Sequence, residues 1–445
     1  MICSKGSKMS GNEELEDQNL IERELCALFP SEWLRDTAKE TRLIKRERKI
    51  DPVIMFWVLV LGYGITLQRT LASLKRAYET SSKEILRDSS WYYRFTPELV
   101  AFLHECVKRG IEHMAQDRCR TLDKRLSSFE DVLIHDNTII RLHEKLAKTW
   151  PATRSRKAAA GVKICTLISA IANSPKSVAL YAENTNDLKT LRIGPWVKSR
   201  ILLIDLGFYK YQLFTRIKEN GGYFLSRLKS NSNPLILEVN RIHRGRSIDV
   251  KGKHLQEILI NLKRKVLDVE VEVAFKRRAY NGKKSDDVEQ FRLIAVYNQD
   301  EEKYHTYITN ISADVLEAEE VARLYGARWE IEILFKELKS KYALDVVPTS
   351  NPRVIEAFIW IAILTLIASR KIYSIIRRLN PDAKMVRFTH LRWGTIFAEK
   401  SGFQLMAILS FLGLEHSFDT HLKVYSSEAL DPHVNRKRFT EEWWA

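Results

Sequence analysis

Six side chains could carry out phosphate chemistry together if the fold assembles them: Asp136, Asp205, Tyr325, Arg328, Glu332 and Lys339. The last four lie in Leu324-Tyr325-Gly326-Ala327-Arg328-Trp329-Glu330-Ile331-Glu332 and its continuation through Phe335 and Lys336 to Lys339. At ~100° per residue, a helix over 320–341 places Tyr325, Arg328, Glu332 and Lys339 within about 60° of one another. A carboxylate there can ligate a metal ion, and two cations and a phenol on the same face can hold a phosphate. Leu324, Ala327, Ile331, Leu334 and Leu338 form the neighbouring core-facing stripe. Glu330 and Glu337 point ~120° or more away and are expected on the solvated surface. A simpler account of Arg328 and Glu332 is an i,i+4 pair worth a few tenths of a kcal/mol to the helix.

The two aspartates share a local context. Val132-Leu133-Ile134-His135 runs into Asp136, and Ile201-Leu202-Leu203-Ile204 runs into Asp205. Each reads as a short apolar strand ending on a carboxylate, and near-continuous apolar strands belong to a sheet covered on both faces. Taken singly, an aspartate at a strand tip is commonly the cap of the next helix. Three carboxylates brought together would repel, and proton uptake or metal binding must relieve that strain. His135 would point to the opposite strand face and reads as a buried structural histidine.

The elements that position these groups change character along the chain. Residues 1–125 read as mostly helical and as a candidate DNA-binding domain, with Asp51 as a cap and Pro52 in the first turn of an apolar helix. A helix over 70–79, a break at Thr80-Ser81-Ser82, and a stretch carrying Lys83, Arg87, Trp91 and Arg94 resemble a helix-turn-helix. Residues 126–234 alternate strands (162–171, 223–227) with a helix (209–219), the pattern of an α/β unit. Over 235–315 the period becomes two: Val269, Val271, Val273 and Phe275 alternate with polar residues. Turns at Asn281-Gly282 and Asp300-Glu301-Glu302 suggest antiparallel hairpins, a β-rich insertion rather than more of the α/β sheet. Helical periodicity returns over 316–350, and 351–445 is helical, first apolar and then basic.

Composition narrows the partner class. Lys and Arg number 72 against 56 Asp and Glu, a net charge of +16 over 445 residues. That balance suits nucleic acid or an anionic membrane surface, although surplus lysine on solvated faces gives the same count. The basic loop Arg154, Arg156, Lys157 and the nearby Lys163 could touch DNA backbone or be a solvated charge run. The cysteines Cys3, Cys26, Cys106, Cys119 and Cys165 show no CxxC spacing and read as free thiols of a reducing compartment. The first residues carry no apolar run of a secretory signal. The uncharged stretches 53–67 and 357–368 fall short of the ~18 residues of a spanning helix. A soluble, cytoplasmic protein without a membrane role is expected. The absence of a P-loop, a Rossmann glycine pattern and HExxH argues against ATP use and zinc hydrolysis.

The spacing Tyr325, Arg328, Glu332, Lys339 (Y-x2-R-x3-E-x6-K) resembles the signature of the insertion sequence 4 family of DDE transposases. Asp136 in His-Asp-Asn-Thr and Asp205 in Ile-Asp-Leu-Gly-Phe-Tyr are similar to that family's first and second aspartates, and the resemblance spans about 130–345. It implies an α/β fold: an RNase-H-like catalytic core interrupted by a β-rich insertion, with helical N-terminal and C-terminal regions. It also implies a transposase that binds terminal inverted repeats of double-stranded DNA, cleaves them and joins the 3′-hydroxyl to target DNA. Two Mg²⁺ ions, with Mn²⁺ able to substitute, would be held by Asp136, Asp205 and Glu332, Asp136 bridging both. Tyr325, Arg328 and Lys339 would grip a phosphate near the cut. A homodimer on two DNA ends is implied, for which the apolar helix from Val354 is a candidate contact, in a prokaryotic cytoplasm at the nucleoid. One departure is that no tryptophan lies between Trp196 and Trp329, where well-known relatives stack a flipped base on one. Tyr280, Phe291, Tyr297 and Tyr304 are the available aromatics, each better explained by ordinary β packing. Two other readings stay open: a nuclease of the same fold that only hydrolyses, and a non-catalytic DNA-binding protein derived from a transposase.

Overall fold

The computed structural model describes residues 19–46, 49–62, 70–82, 84–116, 120–153, 159–242, 248–277, 285–347, 349–379 and 389–414. The expectations placed on Cys3, Lys83, Cys119, Arg154, Arg156, Lys157, Tyr280 and the Asn281-Gly282 turn lie outside these residues. The chain forms two compact units, Met1–Gly110 with Glu337–Ala445, and Ile111–Lys336.

The first unit begins with α1 (Leu20–Leu28), α2 (Ser31–Glu40), α3 (Pro52–Gly62), α4 (Leu71–Ser82), α5 (Asp88–Tyr92) and α6 (Pro97–Gln116). Asp51 starts α3 as expected: its Oδ1 accepts from the backbone N–H of Val53 (2.7 Å) and of Ile54 (3.2 Å). Every residue from Val53 to Leu61 is buried, the mark of a core helix apolar all round. The helix-turn-helix expectation fails here. With no glycine or proline to stop it, α4 runs on through Thr80 and Ser81 to Ser82. The next helix, α5, has five residues, too few to fill a major groove. Its Trp91 is fully buried, donating Nε1–H to the Leu71 carbonyl (2.9 Å) and packing on Tyr78 and Phe95.

The second unit is built on one nine-stranded sheet. Its strands are β1 (Asp131–Leu142), β2 (Ala160–Ser169), β3 (Ser174–Ala182), β4 (Arg200–Ile204), β5 (Tyr223–Arg227), β6 (Leu235–Val239), β7 (Val266–Lys276), β8 (Asp286–Asn298) and β9 (Lys303–Thr309). They lie in the order β3-β2-β1-β4-β5-β9-β8-β7-β6. The antiparallel β1–β3 meander followed by β4 and β5, both parallel to β1, is the arrangement of an RNase-H-like core. The insertion is antiparallel as its alternation required, but it is not a separate sheet. β9 pairs antiparallel with β5 through Leu225↔Thr309 and Ser226↔Ile308, so the insertion extends the same sheet. Left unpaired, β5 would be an exposed edge, and the returning hairpin satisfies it. Phe291 sits in the core, edge-on to Phe224 and Phe214, so it is packing and not a stacking platform. Tyr304 donates its hydroxyl to the Leu262 and Arg264 carbonyls and meets Tyr297 at 5.1 Å. The helices of this unit are α7 (Asp187–Thr190), α8 (Tyr211–Glu219), α9 (Leu255–Asn261) and α10 (Ala318–Tyr325), and α11 (Trp329–Ser340) runs out of it.

The first unit closes with α12 (Pro352–Leu379) and α13 (His390–Phe411). As folded, α12 has 28 residues and is long and apolar enough to cross a membrane by length and composition, unlike the shorter stretch read from charge alone. Its apolar window is 83% buried within the protein, which makes it a core helix. Val354 and its apolar neighbours are spent on that core, so they do not offer the dimer contact expected of them. Glu337 also departs from expectation: it is fully buried, paired with Arg370 (2.6 Å) and accepting from the Tyr342 hydroxyl (3.0 Å). A buried carboxylate survives when a buried cation matches it, and α12 supplies one. Cys26, Cys106 and Cys165 are free thiols, as read.

Candidate active site

Strand register brings the two aspartates together. β1 and β4 pair in parallel up to His135↔Ile204, so the next residue on each strand is Asp136 and Asp205. Asp136 is not at a strand tip: β1 continues to Leu142, with Asp136 opposite Thr166 of β2. It sits where β1 loses its β4 partner because β4 stops one residue short of Asp205. Asp205 caps the 3₁₀ turn Leu206–Phe208 by accepting from the Gly207 N–H (3.4 Å), so the capping reading and the site reading describe the same residue. His135 is buried with its ring edge-on to Phe208 at 4.7 Å, and burial pushes its pKa down to about 4. It is structural, as expected.

A second layer of polar contacts lies behind Asp136. Asn137 donates its backbone N–H to Asp136 Oδ1 (2.8 Å) and its side-chain amide to Asp187 Oδ1 (3.1 Å). Lys163 donates Nζ to the same Asp187 oxygen and to the Thr185 carbonyl, both at 2.6 Å. Lys163 is buried, so it is neither a DNA contact nor part of a solvated charge run. Sequence reading missed Asp187, the acid that Asn137 and Lys163 share, since no spacing links β1 and β2 to α7.

The signature helix is not continuous. α10 ends at Tyr325, a 3₁₀ turn covers Gly326–Arg328, and α11 starts at Trp329. In a 3₁₀ turn positions i and i+3 eclipse, which sets Arg328 directly over Tyr325. The Tyr325 ring packs on Tyr307 at 5.4 Å. Arg328 then reaches all three carboxylates: Nη2 to Glu332 Oε1 at 2.5 Å, Nη1 to Asp136 Oδ2 at 3.4 Å, and Nε to Asp205 Oδ1 at 3.9 Å. Lys339 stands on the same helix, about 10 Å further along its axis. Glu330 is not solvated as expected; both its oxygens accept from Arg120 Nη1 (2.9 and 2.8 Å).

One guanidinium therefore lies among three acids. Burial raises Asp136 to a pKa of about 6; the Asn137 N–H and Arg328 pull it down, while the charges of Asp205 and Glu332 push it up. Burial would lower Arg328, but its hydrogen bond to Glu332 and the surrounding negative charge hold it above the ordinary value. Burial also pushes the Tyr325 phenol up to about 12, against the pull of Arg328. Among the described residues, no group of three or more His, Cys, Asp or Glu side chains is set around one metal position; the three acids are paired with Arg328 instead. The donors themselves fit a hard divalent cation: they are carboxylate oxygens, and Asp205 and Glu332 are 39% and 34% exposed and so reachable from solvent.

A protein-family model described as a transposase DDE domain matches residues 127–368, a span that contains all three acids. A transposase for insertion sequence element IS231F of Bacillus thuringiensis subsp. israelensis is 23% identical over 389 residues, covering 79% of each chain. A transposase for insertion sequence element IS1151 of Clostridium perfringens is 23% identical over 380 residues, covering 77% of this chain and 78% of its own. The cryo-EM structure of a piggyBac transposase synaptic complex with hairpin DNA aligns over 92% of this chain and 84% of its own, at 11% identity and a TM-score of 0.43.

Proposed function

The chain belongs to the transposase DDE domain family, as its resemblance to the insertion sequence 4 transposases implied, and from this we propose that it cuts the terminal inverted repeats of an insertion sequence and joins the freed 3′-hydroxyl to target DNA. The observation that carries this reading is the meeting of Asp136, Asp205 and Glu332 at one guanidinium, although they come from three distant parts of the chain. These three side chains would hold two Mg²⁺ ions, Asp136 shared between them, with Mn²⁺ able to substitute. When bound, such a pair activates the attacking oxygen and stabilises the leaving one. Arg328 has two tasks. It pairs with the three acids, and its fork would also hold the phosphate beside the cut, aided by Tyr325 and Lys339. Residues 1–125 would supply end recognition, and two copies would act on two ends in the cytoplasm.

The experiment is a strand-transfer assay with oligonucleotide ends, a plasmid target and Mg²⁺. Joined products support the proposal. Nicks without joining support a hydrolytic nuclease instead, and DNA binding without either product supports an inert derivative.

Two further outcomes follow from the site. Arg328→Lys is expected to slow nicking roughly 10- to 150-fold, the worth of one charged hydrogen bond, because a point charge cannot make the forked contact. Single-turnover nicking rates check this. The second concerns pH. Asp136 has a folded pKa of about 6 against an ordinary 3.8, so the metal-free fold binds its proton more tightly than the unfolded chain does. That contribution is fully present below 3.8 and is lost as pH rises through about 6. Asp136→Asn should therefore raise metal-free stability at pH 7 by up to about 3 kcal/mol, with the gain vanishing below pH ~4. Urea midpoints in EDTA across this range measure the difference.

A further inference from the structure

Two clefts in the sheet unit share Asn186, Leu188 and Lys210 and so run into one another. The first, about 400 Å³, begins beside the candidate active site, since it is lined by Gly207, whose N–H is held by Asp205. The second, about 620 Å³, continues between α7, α8 and the end of β7. Gln212 of α8 donates its side-chain amide to the Lys276 carbonyl, which ties this end of β7 to the helix.

The charge along this path is one-sided. The second cleft is lined by Lys189, Lys210, Arg216, Lys276 and Arg277, with no carboxylate among its lining residues. Arg277 is engaged by Asp287 and Glu219. Lys189, Lys210, Arg216 and Lys276 are exposed, and no carboxylate among the described residues pairs with them. The acids of the first cleft are already matched, Glu183 by Arg141 and Asp187 by Lys163. Lys229 there lies over the Tyr209 ring at 5.3 Å, exposed to solvent. Four surplus cations that do not pair within their own surface, set on an apolar floor of Leu188, Leu191 and Leu213, call for an extended polyanion.

We propose that this groove is a phosphodiester track that holds the DNA strand running away from the scissile phosphate, with Lys189, Arg216 and Lys276 each neutralising one backbone phosphate. The inference rests on the reading of the chain as a DNA-cutting enzyme and adds where, outside the acidic centre, the flank is gripped. The contacts are to backbone and carry no sequence preference.

The test is fluorescence anisotropy of the full chain with a labelled random-sequence duplex of about 30 base pairs, in EDTA, over about 50–200 mM salt. Each phosphate contact contributes ~0.9 to the slope of log affinity against log salt. The triple variant K189A/R216A/K276A should lose ~2.7 of that slope, so its affinity falls ~40-fold less than that of the wild type across this range. The charge-keeping triple K189R/R216K/K276R should retain the wild-type slope. A control triple, K251A/K263A/K265A, removes three exposed lysines that line neither cleft and should also leave the slope unchanged. An unchanged slope in the first variant, or an equal loss in the control, overturns the proposal. In EDTA no cutting occurs, so the difference in slope between variant and wild type reports on the groove; nicking of end-bearing duplex by wild type in Mg²⁺ reports separately on the catalytic reading.

Discussion

Asp136→Asn is expected to remove nicking altogether while leaving DNA binding at wild-type strength. The substitution keeps the side chain's size and its place beside Asn137 but takes away the carboxylate proposed above as the ligand shared between two cations. Loss of a partner outside the immediate ligand set typically costs ~10–100-fold, so loss of the shared ligand should cost more than that. The same variant is expected to be the more stable protein at neutral pH, because it no longer carries a buried acid pressed by Asp205 and Glu332. Activity and stability should thus move in opposite directions at one residue, as they do where a fold tolerates electrostatic strain for the sake of chemistry. A quantitative nicking assay beside a binding titration decides it. An Asp136→Asn chain that still cuts in Mg²⁺ removes Asp136 from the chemistry, and one that neither cuts nor binds points to lost folding instead.

The residues of the site were legible because their chemistry has a period. Tyr325, Arg328 and Glu332 fall on one helical face, and two apolar runs ending in aspartate read as buried strands; that the two lie side by side and parallel, up to His135↔Ile204, is what the structure adds. What the period could not show was the break at Gly326–Arg328. Gly326 was the one local signal, since a glycine inside a helix costs about 1 kcal/mol relative to alanine. Nor could it show Arg328 lying among the acids, which depends on a side-chain orientation and on Asp136 from a strand far back in the chain. Glu337 failed for a related reason: helical phase turned it away from the polar row, but the space it turned toward holds Arg370, 33 residues later. Lys163 was read by its charge, and only tertiary contact with Asp187 explains its burial. The insertion was read correctly as antiparallel, yet its joining to β5 depends on an edge that no local pattern advertises.

Arg292→Leu is expected to be the most destabilising single change in the sheet unit, by about 3–5 kcal/mol, because it would leave a buried acid without its cation. Arg292 is 2% exposed on β8 and makes a two-pronged pair with Asp268, Nε to Oδ1 at 2.9 Å and Nη2 to Oδ2 at 2.6 Å. Its remaining nitrogen, Nη1, donates to the carbonyls of Ile311, Ser312 and Leu316 at 3.2, 3.1 and 2.7 Å. Those carbonyls belong to the segment that leaves β9 and enters α10, and α10 leads directly to Tyr325, Arg328 and Glu332. Arg292 therefore fastens the end of the insertion to the start of the segment that completes the acidic centre. At ~2–4 °C per kcal/mol for a unit of this size, the melting temperature should fall by ~6–20 °C. The double variant Asp268→Leu/Arg292→Leu should recover part of the loss, since removing both charges avoids an unmatched one, while the Ile311 and Leu316 carbonyls still lose the Arg292 donor and Ser312 keeps its bonds from the Val315 and Leu316 N–H groups. A single variant melting within a degree or two of wild type would mean that the pair is not what holds this junction, and the carbonyl contacts would then be incidental to the placement of Arg328.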